Sequence, residues 1–284
     1  MYSQGVLATH GSTRRKCLLA AYWFPPCAGS DALSSLAVVN ALVERGYDVT
    51  VLAADQWTYG LAGQAIDLTL TKMIDPAVSV YRWPFPLGPD DPLVNRWSQQ
   101  RQKLFSLSAT KQTAWQETAK RQWSRIWPEP DCGANFGRVY QPITAAARHL
   151  HRVNQFDLVM ATAGPWVDFA VPLILGAFTG VPTVIIDRDA WLFDVLAGEP
   201  CVGADLIEPL LGQLLSQVTR AWYISEPIAE LHRQRFAEHA AKIKVVPNDW
   251  DPEKLAADSR PPQRQGDWSL DQAFQDLEEA LGWN

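Results

Sequence analysis

Short runs of unbroken apolar residues recur along this chain, each followed by a segment of helical periodicity, and that alternation leaves few folds open. "KCLLAAYW" (16–23) is apolar without a break, as expected of a strand buried on both faces. "FPPCAGS" follows as a loop punctuated by Pro25, Pro26 and Gly29. Leu33, Leu36, Ala37, Asn40, Ala41 and Glu44 then fall at helical spacing, Gly46 stops the helix, and "DVTVLAA" (48–54) is a second buried strand. Strand, helix and strand packed so closely form a βαβ unit, and right-handed crossover geometry makes its strands parallel. The pattern continues with strands at 77–83, 156–162, 181–189, 221–225 and 242–247, and with helices in "PITAAARHLHR", "VDFAVPLILGAFTG", "EPLLGQLLSQVTR" and "EPIAELHRQRFAEHA". The expected class is α/β: a doubly wound, mostly parallel, Rossmann-like sheet of about seven strands.

Composition narrows the function classes. The net charge of −6 argues against nucleic acid as a partner, because phosphate binding needs a concentrated basic surface. The four cysteines, at 17, 27, 132 and 201, form no C-x-x-C pair, so no metal site is expected and a reduced, cytoplasmic compartment fits. Residues 1–15 are polar and read as a disordered leader. "STRRKCLLAAYWFPP" imitates a signal peptide, but its apolar run ends at Pro25, and a first strand is the better reading. No segment approaches the ~20 apolar residues of a membrane span.

Two stretches break the alternation. The segment at about 84–138 reads as a helical, basic, Trp-rich insertion. Between Asn95 and Arg125 it carries seven Lys/Arg against one acid, Glu117, and Trp115, Ala119 and Trp123 share a helical face. Residues 95–127 therefore suit an anionic membrane surface, with the protein peripheral at the inner face; the plainer reading is a helix packed on the sheet with its basic side in water. The second stretch, 256–284, is a linker and an amphipathic helix. Ser269 and Gln272 stand at capping-box spacing, with Leu270, Phe274, Leu277 and Leu281 on one face. Such a helix must dock on the body or on a partner.

Seven pieces occur in a recognisable order: the apolar first strand, the "FPP" loop, "LVERGYDVTVL", "FDLVMATAGP", "GVPTVIIDRDAW", "YISEPIAELHRQRF" and "IKVVPNDWDPEKL". Over roughly 16–255 the chain resembles the N-terminal half of glycosyltransferase family 4, enzymes of the GT-B fold. The resemblance implies two Rossmann-like domains facing a cleft, the first binding the acceptor and the second the nucleotide-sugar donor, with retention of anomeric configuration and no required metal. The "PPCAGSDA" loop, through Gly29 and Ser30, then offers backbone N–H groups to phosphate oxygens at a helix N-terminus. Asp31 adds a repulsive charge there. Thr162 and Gly164 stand where many members carry a histidine, in a turn closer to the subgroup with Ser/Gly-Pro-Pro. In "DRDAW", Arg188 can pair with an anionic acceptor or diphosphate, Asp189 can accept a hydrogen bond from an acceptor hydroxyl or act as its base, and Trp191 can stack on a sugar face. The plainer alternative is an Arg–Asp pair that only caps loops. Glu230 and Glu238 mimic the family's Glu-x7-Glu donor pair, but they precede the hinge and read as a solvated helix face.

The hinge itself, normally Pro-Asn-Gly-x-Asp, reads here as Pro247, Asn248, Asp249 and Trp250. A donor domain of roughly 100–200 residues is expected after it, and 29 residues follow Leu255. The expectation is an acceptor-side half of a nucleotide-sugar-dependent transferase of glycan or lipid-linked saccharide synthesis. It would work with a separate donor-domain polypeptide, bind no tight cofactor, and meet the nucleotide sugar only with that partner. The alternatives are a non-catalytic binding or scaffold subunit and a truncated remnant.

Overall fold

The structure, a computed structural model, describes residues 14–56, 59, 64–83, 140–164, 166–194, 198–201, 204–247 and 269–283. Most of the leader, the insertion at 84–138, the hinge residues Asn248 and Asp249, and the linker lie outside the described residues.

Strand β1 (Lys16–Ala20) leads through α1 (Ser30–Glu44) to β2 (Asp48–Ala54), and β3 is Ser79–Trp83. Helix α2 (Tyr140–Asn154) feeds β4 (Leu158–Thr162); α3 (Ala170–Thr179) feeds β5 (Thr183–Asp187). After a two-stranded hairpin, β6 (Phe193–Asp194) with β7 (Glu199–Pro200), α4 (Ala204–Gln217) feeds β8 (Arg220–Tyr223). Helix α5 (Glu226–Arg235) and a 3-10 turn (Ala237–Lys242) feed β9 (Ile243–Val245), and α6 (Leu270–Ala280) closes the described chain. The strand order is β3-β2-β1-β4-β5-β8-β9, and every neighbouring pair is parallel. The fold is the expected doubly wound α/β sheet, with seven strands.

Alternation along each strand sends side chains to two separate cores. Leu18, Val159, Ile185 and Tyr223 face α2, α3, α4 and α5. Cys17, Leu19, Val51, Met160, Ile186 and Trp222 face α1 and α6. Burial on both faces is why the strands read as unbroken apolar runs. Helix α3 stops at Gly180, whose φ of 71° is open to glycine at little cost.

The tail helix docks on the body. Ser269 Oγ accepts the Gln272 N–H, and Gln272 Oε1 accepts the Ser269 N–H in return, the expected capping box. Phe274 meets Trp222 edge to face at 5.1 Å, with the Arg45 guanidinium 5.5 Å above its ring. Asp276 pairs with Arg220 and lies 3.9 Å from Lys244, and Tyr47 Oη donates to Glu278 at 3.0 Å.

Two elements differ from expectation. The β6–β7 hairpin has no strand pattern in sequence. The helix expected through Ala240 ends at Arg235, because Phe236 leaves helical geometry (φ −121°, ψ 58°) and buries its ring beside Gly212 of α4.

Candidate functional site

The chain winds one way from β1 to β2 and β3, and the other way from β4 to β5, β8 and β9. Open α/β sheets place their ligand crevice where that direction reverses, outside the carboxyl ends of the strands. Here three loops meet at that point: those after β1, β4 and β5.

The loop after β1 is braced from beneath. Tyr59 Oη donates to Tyr22 O at 2.7 Å and accepts the Phe24 N–H at 3.2 Å. Arg82 donates to Tyr59 Oη and Ala54 O, both at 3.3 Å, and to Pro25 O. Asp168, fully buried after β4, accepts the Tyr22 N–H at 2.6 Å. Burial pushes its pKa well above the usual carboxylate value, against the pull of that N–H.

The loop delivers α1 with Gly29 as an extended N-cap that makes no side-chain cap. Asp31, in the first turn, is the hub of the site. Its carbonyl oxygen accepts Arg188 Nη1 at 2.9 Å and Ser35 Oγ at 2.8 Å, and its carboxylate lies 3.9 Å from Arg188 Nη1. Ser35 Oγ lies 3.3 Å from Thr162 Oγ1 at the end of β4. Gly164, at φ 98°, comes so close that a Cβ would stand 3.2 Å from Asp31 Oδ2 and 3.6 Å from Trp23 Cδ1.

From β5 comes Arg188, its side chain only 5% exposed. Burial lowers its pKa to about 10 while Asp31 and Asp189 oppose the shift, so it stays cationic at neutral pH. Asp31 and Asp189 are both raised, mainly by desolvation, with Arg188 opposing. Beneath them Asp187, fully buried, accepts the N–H groups of Asp189 at 3.2 Å and Trp191 at 3.4 Å. Its pKa is pushed up to about 7 by burial. Trp166 lies near enough to favour its charge, although the indole N–H is outside hydrogen-bonding geometry.

The structure therefore brings Thr162, Gly164 and Arg188 together at Asp31, with Asp189 next in the chain and Gly29 and Ser30 at the helix start. One expectation is corrected. Trp191 is 2% exposed, stacked on Trp166 at 5.9 Å and against the edge of Phe169. Its ring is core and offers no face to a sugar; hydrophobic burial takes it inward. Asn248 and Asp249 lie outside the described residues. Glu230 and Glu238 sit on the surface, where Glu230 pairs with Arg233 at 3.5 Å.

Three residues were overlooked as parts of the site. Asp31 stood only as a repulsive charge, Asp187 fell inside the strand expected at 181–189 without a role of its own, and Asp168 was given none. The signal available was position: Asp187 ends β5 and Asp168 lies six residues past β4, whereas Asp31, eleven residues past β1, is marked only by its place in the first turn of α1. Chemically, the crevice offers one buried cation between two carboxylates, the Ser30 hydroxyl and close backbone approach; Thr162 is buried and keeps its hydroxyl against Ser35. Any phosphate of a cofactor would meet the Gly29 and Ser30 end of α1. Among the described residues no group of three or more His, Cys, Asp or Glu side chains could hold a metal ion.

No protein-family model matches the sequence, and no curated protein is similar to it. Several solved structures are similar in fold. They include S. aureus MnaA with UDP, at 9% identity and TM-score 0.46 over 87% of this chain and 48% of that one. Anabaena HepE with UDP and glucose follows at 12% and 0.42, over 84% and 46%. The glycosyltransferase SnogD of Streptomyces nogalater matches at 15% and 0.34, over 91% and 52%. The chain spans about half the length of these proteins.

Proposed function

We propose that this chain is the acceptor-side domain of a GT-B glycosyltransferase, of the family 4 type, which transfers a sugar from a nucleotide donor with retention. Its acceptor is a glycan or lipid-linked saccharide. The observation that carries the reading is Arg188, buried between Asp31 and Asp189 at the switch point of the sheet. In this reading Arg188 orients acceptor hydroxyls by donating to their oxygens, and the carboxylates accept their protons. Asp189, exposed and raised by partial desolvation, takes the proton of the reacting hydroxyl as its oxygen bonds to the sugar carbon and the nucleoside diphosphate leaves. The donor binds on a second domain, whether on this polypeptide or another. The anionic membrane surface proposed for 95–127 belongs to the same reading, because it would bring a lipid-linked acceptor within reach.

Titration of the chain with neutral oligosaccharides and with UDP-glucose, followed by amide NMR, tests this. Oligosaccharide should shift Arg188 and Asp189, and Arg188→Lys should weaken binding about tenfold, since an ammonium cannot replace a planar fork. Micromolar binding of UDP-glucose to this chain alone would overturn the acceptor-side assignment.

A further inference from the structure

The turn from Asp187 to Trp191 carries both Arg188 and Asp189, and its shape is not set by the sheet. Ala190 has φ 53°, a left-handed conformation that an L-residue holds only when its surroundings enforce it. Two contacts do so: Phe193 N–H donates to Ala190 O at 2.8 Å, and the Asp187 carboxylate accepts the N–H groups of Asp189 and Trp191 with its two separate oxygens.

We propose that Asp187 is the positioning residue of the switch-point site: its buried carboxylate holds the turn that presents Arg188 and Asp189, so the geometry of that pair follows the charge state of a group that no ligand touches. The site half of this statement rests on the acceptor-side reading; the coupling does not. An ionised carboxylate accepts strongly at both oxygens, whereas in the protonated acid one oxygen becomes a hydroxyl that donates and accepts only weakly. Among the described residues the groups facing Asp187 are few. On its own loop this is Asp189, which pushes its pKa up; the Arg188 guanidinium is engaged by Asp31 instead. From β8 comes Tyr223, its partner in register, whose Oη lacks a hydrogen-bond partner among the described residues. From the turn after β4 comes Trp166. From α5 comes His232, whose ring lies 4.3 Å from that of Tyr223. None of them supplies a cation against the carboxylate, so burial dominates and the midpoint stands at about 7. Above that pH the turn is held by charge-assisted bonds at both N–H groups; below it, one of the two is weakened.

The test is a pH titration from 5 to 9 of the labelled full chain, following the Asp187 side-chain carbon, the Asp189 and Trp191 amides, and Arg188 Nε. The expected result is one shared midpoint near 7 for all four, and loss of the amide and Arg188 transitions in Asp187→Asn. Flat Arg188 and amide signals, or a transition that survives in Asp187→Asn, overturn the proposal. Should that variant not fold, the wild-type data decide: coincident midpoints support the coupling and separate ones refute it. Failure here leaves oligosaccharide binding intact as a question, and failure of oligosaccharide binding leaves the titration unchanged, so the two readings fail independently.

Discussion

His232 gives the sharpest stability prediction. It lies in α5 with no exposed surface, its ring 4.9 Å from Phe193 and 4.3 Å from Tyr223. Nδ1–H donates to Ile228 O at 2.8 Å, and Nε2 has no hydrogen-bond partner among the described residues. Burial pulls the pKa from 6.5 down to about 4. The unfolded chain therefore takes up a proton near 6.5, while the native state resists until about 4. Stability contributed by the neutral ring is complete above 6.5 and is lost as the pH falls through that window. At about 1.4 kcal/mol per pH unit the loss reaches about 3 kcal/mol near pH 4, with about 2 kcal/mol developed by pH 5. Asp187 and Asp168 are shifted the opposite way, since their folded values are raised, so they favour the native state on acidification. Both are common to wild type and variant and drop out of the difference. His232→Leu keeps the volume and removes the titration. Urea unfolding at pH 7.5 and pH 5 should show wild type losing about 2 kcal/mol more than the variant between the two conditions. Parallel losses in the two proteins would refute the argument, because they would mean that the ring is hydrated or already free to protonate in the native state.

Two further outcomes follow from packing. Phe274→Ala removes a fully buried ring from between Trp222 and Arg45 and should cost about 3–5 kcal/mol in urea unfolding; α6 amides should exchange faster, and a loss below about 1 kcal/mol would show that the helix docks without that contact. Gly164→Ala must adopt φ 98° and place its Cβ 3.2 Å from Asp31 Oδ2, for a cost of about 1–2 kcal/mol from the backbone alone. In an Asp31→Ala background that backbone part should persist, and a neutral substitution there would show that the loop relaxes.

What could be read from sequence divides along a physical line. Strands such as Leu158–Thr162 were legible because burial on both faces leaves an unbroken apolar run, and the stop at Gly180 because its backbone demands glycine. Seven strands follow from such local signals. The placement of Arg188 and Gly164 beside the switch point was legible because they sit at strand ends, where the fold puts its crevice. Asp187 and Asp168 were not, because a carboxylate at a strand end looks the same whether it faces water or a main-chain N–H. Trp191 was misread for a related reason: a loop indole serves equally well as platform or as core, and only Trp166, 25 positions away in sequence, decides between them. The brace of Tyr59 and Arg82 under Tyr22 is tertiary in the same sense.

The charges at the switch point also settle a tension in the loop before α1. Its small residues suit a phosphate, yet Asp31 puts a carboxylate in the first turn, where the helix dipole already favours it. That carboxylate is not idle, because a guanidinium at 5% exposure needs compensation, and Asp31 supplies both a carbonyl oxygen and a negative charge. An incoming phosphate would have to displace or repel Asp31 and compete with Asp189 for the same cation. A sugar hydroxyl meets no such opposition, since it donates to either carboxylate and accepts from Arg188. In the acceptor-side reading proposed above, the Arg–Asp pair is both a structural cap and a selective surface. Its order of charge would favour neutral, hydroxyl-rich ligands over anions, which supports that proposal and is the reverse of what the composition of the loop suggests.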